Sequence, residues 1–480
     1  MVFSSHLFVY YFLPLALLAH AVSWLCLPRA LRHLGLLASS YFFYGWANPA
    51  FVGLMLFSTA VDYGCGRWIE GTDDDRRRKL AVTLSVLTNL GLLGFFKYFN
   101  FGVDSWNAAI AAAGLGHLQL EGLLRVTLPL GISFYTFQSM SYTIDVYRGR
   151  ARALRNPLDF ACYVAMFPQL VAGPIIRFQE VADQLRERRH TAAKVGRGVA
   201  FFSFGLAKKI LLANPCGKVA DLAFASHSLG VVDAWIGALA YAFQIYFDFS
   251  GYSDMAIGLG LILGFRFPKN FDSPYRAASI TDFWRRWHMS LSRWLRDYLY
   301  VPLGGNRRGR RRTYVNLMLV MLLGGLWHGA AWTFVVWGEL HGLMLAFERW
   351  RREHAPAAGD PESTIRRRMR VASTFLLVLV GWVFFRAPGL GEALAYLGAM
   401  VGLGAADPAA AALVSGVLRA PYYLVTLAAA AAITWLAPQT TFDFTERLTP
   451  ARAALALALL VLSLAVMETQ GHNPFIYFIF

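Results

Sequence analysis

The chain has 480 residues, 57% of them hydrophobic and 15% charged. Soluble domains run at roughly 45–50% apolar and about 25% charged, so disorder, collagen, a coiled coil and a secreted disulfide scaffold are excluded, and an all-α polytopic membrane protein is indicated. The net charge of +16 then belongs to Arg-rich loops rather than to nucleic-acid binding, since no soluble basic domain is there to carry it.

Residues 5–26 have no Lys or Arg ahead of the apolar run and outlast a signal h-region, which predicts a retained transmembrane helix. Apolar segments follow at 31–46, 50–69, 80–98, 123–145, 198–220, 232–250, 314–349, 371–386, 392–404, 421–437 and 453–468. Residues 158–176 carry Pro168, Gly173 and Pro174 inside an apolar stretch. Broken backbone at membrane depth survives only where it is buried or lines a cavity, so a re-entrant loop is expected there. FDFSGYSD, 247–254, is read as a second break, with Asp248 and Asp254 capping the broken ends, pairing with an Arg or shaping a polar pocket.

The segment 313–347 has one charge, Glu339. As one helix it would be about 50 Å long against a core of about 30 Å. It must turn back near Gly324, Gly325 and Gly329, which makes roughly 11–13 spans in one integral membrane domain, 1–480. Basic loops at Arg76–Lys79, Arg148–Arg155, Arg177–Arg197, Arg266–Arg312 and Arg349–Arg370 set the orientation. With the N-terminus outside, the first three fall inside, as the positive-inside rule requires. Cys26, Cys65, Cys162 and Cys216 form no CxxC pair, so neither a metal site nor a redox motif is indicated.

FWRRWHMSLSRWLRDY, Phe283 to Tyr298, is the most patterned stretch. Trp284, Trp287, Leu291, Trp294, Leu295 and Tyr298 recur at three- and four-residue steps, with Arg285, Arg286, Arg293 and Arg296 opposite. This predicts one amphipathic helix in the membrane interface. It either anchors to anionic lipid or presents its Arg face to a polyanionic donor, with His288 turned inward. His328, in GGLWHGAAW, is 16 residues beyond Arg312, about 24 Å along a helix. An imidazole that deep is either a bonded core residue or part of a functional site. His341 is read as structural. LGGNRRGRRR, Leu303 to Arg312, lacks the Walker spacing and is read as a solvated basic loop.

Five stretches together resemble the membrane-bound O-acyltransferase superfamily, most closely its bacterial exopolysaccharide-acetylating branch: LPLGISFYTFQSMSYTIDVYRG, FPQLVAGPIIRF, YFDFSGYSDMAIGLGLILGFRFPKNFDSPY, SITDFWRRWHMSLSRWLRDYLYVPLGG and LGGLWHGAAWTFVVWGELHG. The opening MVFSS and closing PFIYFIF resemble it too. The resemblance is carried by the first 350 or so residues, with a core of about 120–350; helices at 371–470 match it in hydropathy alone. It implies a ring of tilted helices around a funnel and tunnel, with His328 at the family's catalytic histidine and His288 at its second polar position; thioester chemistry would then make His328 the base and His288 a donor to the acyl carbonyl. Acetyl-CoA is the implied donor, its phosphates held by Arg285, Arg286, Arg293 and Arg296, with no bound cofactor or metal. The implied acceptor is an extracytoplasmic polysaccharide such as alginate, reached through periplasmic acetyltransferase partners from the bacterial inner membrane. Cellulose, peptidoglycan, teichoic acid or lipid are alternative acceptors in related branches. A transporter or channel is the main rival class, but no internal repeat supports it; a structural scaffold for polymer export, with incidental histidines, is the second.

Overall fold

The computed structural model describes residues 1–354, 363–404 and 407–474, and the described residues form helices, turns and loops without a strand. In chain order the helices are α1 (Leu13–Cys26), α2 (Leu34–Gly45), α3 (Ala50–Glu70), α4 (Asp75–Ala112), α5 (Ile132–Tyr147), α6 (Pro157–Ala165), α7 (Phe167–Leu170), α8 (Phe178–Arg186), α9 (Ala192–Ala207), α10 (Asn214–Ala225), α11 (Val231–Ile262), α12 (Ile280–Arg286), α13 (Met289–Leu295), α14 (Gly309–His328), α15 (Trp332–His354), α16 (Thr364–Arg386), α17 (Leu390–Met400), α18 (Pro408–Leu418), α19 (Pro421–Leu436), α20 (Thr441–Phe444) and α21 (Pro450–Thr469). Of the closing stretch PFIYFIF, residues 475–480 lie outside the described residues, as do 355–362 of the last basic loop.

Among the described residues, five helices are long and apolar enough to cross a bilayer: Leu7–Cys26, Asp75–Ala112, Ala192–Ala225, Thr364–Arg386 and Pro450–Thr469. A sixth span forms if α18 and α19, bent by 60°, count together. The expected 11–13 passes include shorter helices. At 12 and 16 residues, α2 and α5 reach roughly 18 and 24 Å, short of a core of about 30 Å.

The chain divides into two compact units, Met1–Thr191 with Gly260–Phe267, and Ala192–Leu259 with Pro268–Phe480. In the first, α3, α4 and α5 meet over a buried polar ladder: Ser85 Oγ donates to Asp62 Oδ1 at 2.6 Å, and Asn89 Nδ2 donates to the same carboxylate at 2.9 Å. Residues 158–176 are the two short helices α6 and α7 with irregular chain after them, and 162–176 are buried throughout. Pro168 and Pro174, which cannot supply ladder N–H groups, account for the interruption.

Helix α11, most of it in the second unit, runs unbroken for 32 residues, so no break occurs at 247–254. Gly251 there serves close packing, as does Gly258 beyond it. A Cβ on Gly251 would lie 2.7 Å from Gly205 O, and one on Gly258 would lie 2.5 Å from Gly198 O. Two glycine contacts seven residues apart on each helix let antiparallel α9 and α11 touch backbone to backbone. The 313–347 segment turns back as expected, at Gly329–Ala331 between α14 and α15. Gly324 and Gly325 lie within α14. A Cβ on Gly325 would meet Phe334 O at 2.3 Å, and one on Gly338 would meet Met321 O at 2.5 Å.

Candidate functional site

Residues 283–298 do not form one amphipathic helix. Helix α12 starts at a Ser279 cap, whose hydroxyl accepts from Asp282 N at 3.0 Å. The carboxylate of Glu348, on α15, accepts from the main-chain N–H groups of Ile280 and Thr281. That places negative charge on unsatisfied donors at a helix start. The helix ends at Trp287, and His288 takes up the left-handed conformation, φ 42° and ψ 54°, which costs a non-glycine residue about 1–2 kcal/mol.

Asn270 offsets that cost. Its main-chain oxygen accepts from Met289 N at 2.9 Å, and its side-chain oxygen accepts from Ser290 N at 3.1 Å and Ser290 Oγ at 2.9 Å. The Arg286 carbonyl accepts from Asp272 N at 2.9 Å. The 270–272 loop therefore grips the chain on both sides of His288. Helical periodicity fails here because the apolar stripe continues across a residue that reverses its backbone hand.

His288 is fully buried, edge-on to Phe249 at 4.7 Å between ring centroids. Its Nδ1 lies 3.3 Å from Asn270 Oδ1. The Ser290 main-chain N–H can only donate, so the Asn270 atom it meets is the oxygen, and Nδ1 of a neutral His288 is the protonated nitrogen facing it. Nε2 then carries the lone pair, and it is buried with no hydrogen-bond partner among the described residues. Asn270 Nδ2 is likewise buried without a partner among the described residues.

His328 is the last residue of α14 and half-buried. Its ring packs against Trp327, Trp337 and Phe385, at 5.0, 5.3 and 5.2 Å. Forty residues separate it from His288 in sequence, yet the two imidazole centroids are 6.4 Å apart. Trp287, Trp337, Trp382 and Phe385 belong to the aromatic core around this pair. His341 is enclosed in the same core, and its Nδ1 accepts from Trp284 Nε1 at 3.3 Å.

The four arginines are dispersed by the break. Arg285 and Arg286 end α12, Arg293 lies on α13, and Arg296 begins the π-helical turn Arg296–Tyr300. Arg286 Nε binds Asp282 at 2.9 Å and Arg296 Nε binds Asp297 at 2.7 Å. Arg285 is exposed and has no ion pair among the described residues. Residues 306–311 are exposed, as a solvated basic loop should be.

Asp248 and Asp254 pair with lysines rather than arginines or helix ends. Lys209 Nζ lies 2.7 Å from Asp248 Oδ1, and Lys208 Nζ 2.6 Å from Asp254 Oδ2. Both lysines come from the π-helical turn Lys208–Ala213, a wide turn that brings adjacent residues toward one neighbouring helix. A cavity of about 430 Å³ reaches from Lys208 and Asp254 to Asn270 and Phe271, closed by Phe442 and Phe444. It opens on the residue that holds His288.

Asn270, Glu348, Lys208 and Lys209 carry parts of this arrangement that sequence reasoning missed. The lysines had a signal: two adjacent cations inside the apolar run 198–220 require partners, and 232–265 supplies carboxylates. Asn270 and Glu348 had none, since each acts on residues far along the chain.

The family model for membrane-bound O-acyltransferases matches residues 148–387, a stretch containing Asn270, His288, His328 and Glu348. A protein of Azotobacter vinelandii named "Probable alginate O-acetylase AlgI" is 50% identical over 406 residues, covering 84% of this chain and 79% of its own length. The protein of the same name from Pseudomonas aeruginosa strain PAO1 is 49% identical, covering 81% and 73%. A Helicobacter pylori peptidoglycan O-acetyltransferase is 38% identical, covering 84% and 80%.

Proposed function

We propose, from the premise that the chain belongs to the membrane-bound O-acyltransferase family and is a multi-pass membrane acyltransferase, that it O-acetylates an extracytoplasmic polysaccharide of the alginate class, with His328 and His288 as its reacting pair. The observation that carries the assignment of the pair is the approach of the two imidazoles to 6.4 Å from opposite ends of a 40-residue stretch. The alginate reading is supported by relatives of that name at about 50% identity.

The chemistry needs few parts. Acetyl-CoA in the bacterial inner membrane's cytoplasmic face is the proposed donor. An acceptor hydroxyl attacks the thioester carbonyl, the new O–C bond forms, and the C–S bond breaks. The hydroxyl proton passes to an imidazole and then to the departing thiolate. His328 is the proposed base, since a neutral imidazole titrates in the physiological range. His288 Nε2, held as an acceptor by Asn270, orients the same hydroxyl or relays its proton. Arg285 is the arginine best placed to meet a coenzyme A phosphate, because Arg286 and Arg296 must first give up carboxylates. The attacking hydroxyl is proposed to belong to a periplasmic acetyltransferase partner, which then passes its acetyl ester on to the polymer.

The 38% identity to a peptidoglycan O-acetyltransferase supports a second acceptor reading. One experiment separates the two. The gene is deleted and restored with wild type, His328→Ala or His288→Ala, insertion is checked by membrane blot, and acetyl content of secreted polysaccharide and of cell wall is measured by NMR. Loss from the polysaccharide alone, not restored by His328→Ala, is expected. Full restoration by His328→Ala overturns the base assignment. Loss from the wall alone moves the acceptor to peptidoglycan.

A further inference from the structure

The first unit contains a second polar site. A pocket of about 400 Å³ is lined by Trp24, Arg29, Arg32, His33, Asp159 and Arg186, among others. Its cations outnumber its anions. Asp159 is already committed to His33 Nδ1 at 2.8 Å and to Asn156 Nδ2 at 3.1 Å. Glu187, beside the pocket, takes one nitrogen of Arg29 at 2.9 Å.

Arg32 meets no carboxylate among the described residues. Its guanidinium lies 5.2 Å from the Trp24 ring, and its Nε is buried with no partner among the described residues. Behind it Arg188, 9% exposed, is sandwiched between Trp24 and Phe265 at 4.3 and 4.1 Å and contacts His33; its Nη2 also lacks a partner. Buried guanidinium N–H groups without acceptors are costly, and an oxyanion with several acceptor atoms removes that cost.

The chemistry of the surroundings selects which oxyanion. Leu15, Leu18, Val22 and Leu25 are all more than half exposed and recur at three- and four-residue steps along α1. This bare apolar stripe leads directly to Arg29 and Arg32. The positive-inside expectation for the Arg177–Arg197 loop, which supplies Arg186, puts the pocket on the cytoplasmic side, where anionic lipids attract basic side chains. We propose that Arg29, Arg32 and Arg186 bind the phosphodiester of an anionic glycerophospholipid, whose acyl chains lie along Leu15, Leu18, Val22 and Leu25. A soluble nucleotide shares the phosphate chemistry but has no use for the apolar stripe.

The test uses the full chain in nanodiscs. Native mass spectrometry compares retention of phosphatidylglycerol and phosphatidylcholine by wild type, by Arg29→Gln/Arg32→Gln and by Arg29→Lys/Arg32→Lys. Wild type should retain phosphatidylglycerol preferentially. The Gln pair should weaken it about 25-fold, at roughly fivefold per cation lost, and the Lys pair should keep most of it. Equal retention by wild type and the Gln pair overturns the proposal. ADP is added as a competitor, and displacement of phosphatidylglycerol by ADP at equal concentration assigns the site to a soluble phosphate and overturns the lipid reading. Hydrogen exchange on wild type needs no variant. Peptides covering 24–36 and 183–190 should gain protection in phosphatidylglycerol over pure phosphatidylcholine, and identical exchange in both overturns the proposal as well.

Discussion

The side-chain oxygen of Asn270 lies 3.3 Å from Nδ1 of His288, and the same oxygen receives the main-chain N–H of Ser290 at 3.1 Å. One amide thereby sets both the backbone bend and the tautomer of the imidazole. Asn270→Ala should insert normally yet lower transfer about 10²-fold, the usual penalty for misplacing a reacting group by an ångström. Asn270→Asp keeps the acceptor and should retain most activity. The measurement is acetyl transfer per inserted molecule; wild-type activity in Asn270→Ala refutes the positioning role.

His288 sits where glycine is preferred. His288→Gly and His288→Ala both remove the imidazole, but Gly removes the left-handed strain too. Both should lose about 10²–10⁴-fold in activity, with His288→Gly unfolding at the higher temperature. If the two residues act as a unit, His328→Ala combined with His288→Gly costs little more than His328→Ala alone. Multiplicative losses speak for independent roles.

Helix α14 carries His328 against α15 with no room for a side chain at Gly338. Gly338→Ala pushes a methyl group into the Met321 carbonyl and should destabilise by about 1–3 kcal/mol. Because the hairpin also sets the depth of His328, activity should fall further than the folded fraction does. A thermal-shift assay in detergent alongside turnover tests this.

Lys209 and Asp248 are 3% and 1% exposed. Removing one partner leaves a buried charge, so Lys209→Met should cost about 3–5 kcal/mol. Lys209→Met with Asp248→Leu should recover much of that loss. Expression level and melting temperature of the two singles and the double form the cycle, and additive losses would show that the pair is not coupled.

Lys269, next to Asn270, holds Asp443 at 2.9 Å. Burial alone pushes the Asp443 carboxyl up, but hydrogen bonds from Lys269 and Thr440 outweigh it and hold the carboxyl below its ordinary value. A depressed folded-state value means the clamp is at full strength above about pH 4 and weakens only as pH falls through the lower folded value. Melting temperature should therefore drop more steeply below pH 4 in wild type than in Asp443→Asn.

Much of the fold was legible because apolar runs and their interruptions are local. The turn after His328 followed from helix length against bilayer thickness. Helix α11 is unbroken although Gly251, Ser250 and Ser253 look like punctuation, and only the facing glycines of α9 reveal Gly251 as a packing contact. Both histidines were visible from their setting, yet their convergence was not. It depends on Asn270 and on Glu348, which reaches α12 from 68 residues away.

The glycine contacts between α9 and α11 also bear on motion. Carbonyl oxygens seated against α-carbons at two points, seven residues apart, act as detents. Sliding one helix along the other would drive side chains such as Phe202 and Met255 into positions that accept only a hydrogen atom. The two helices are therefore locked in register along their length, and any motion within this unit must leave the crossing intact.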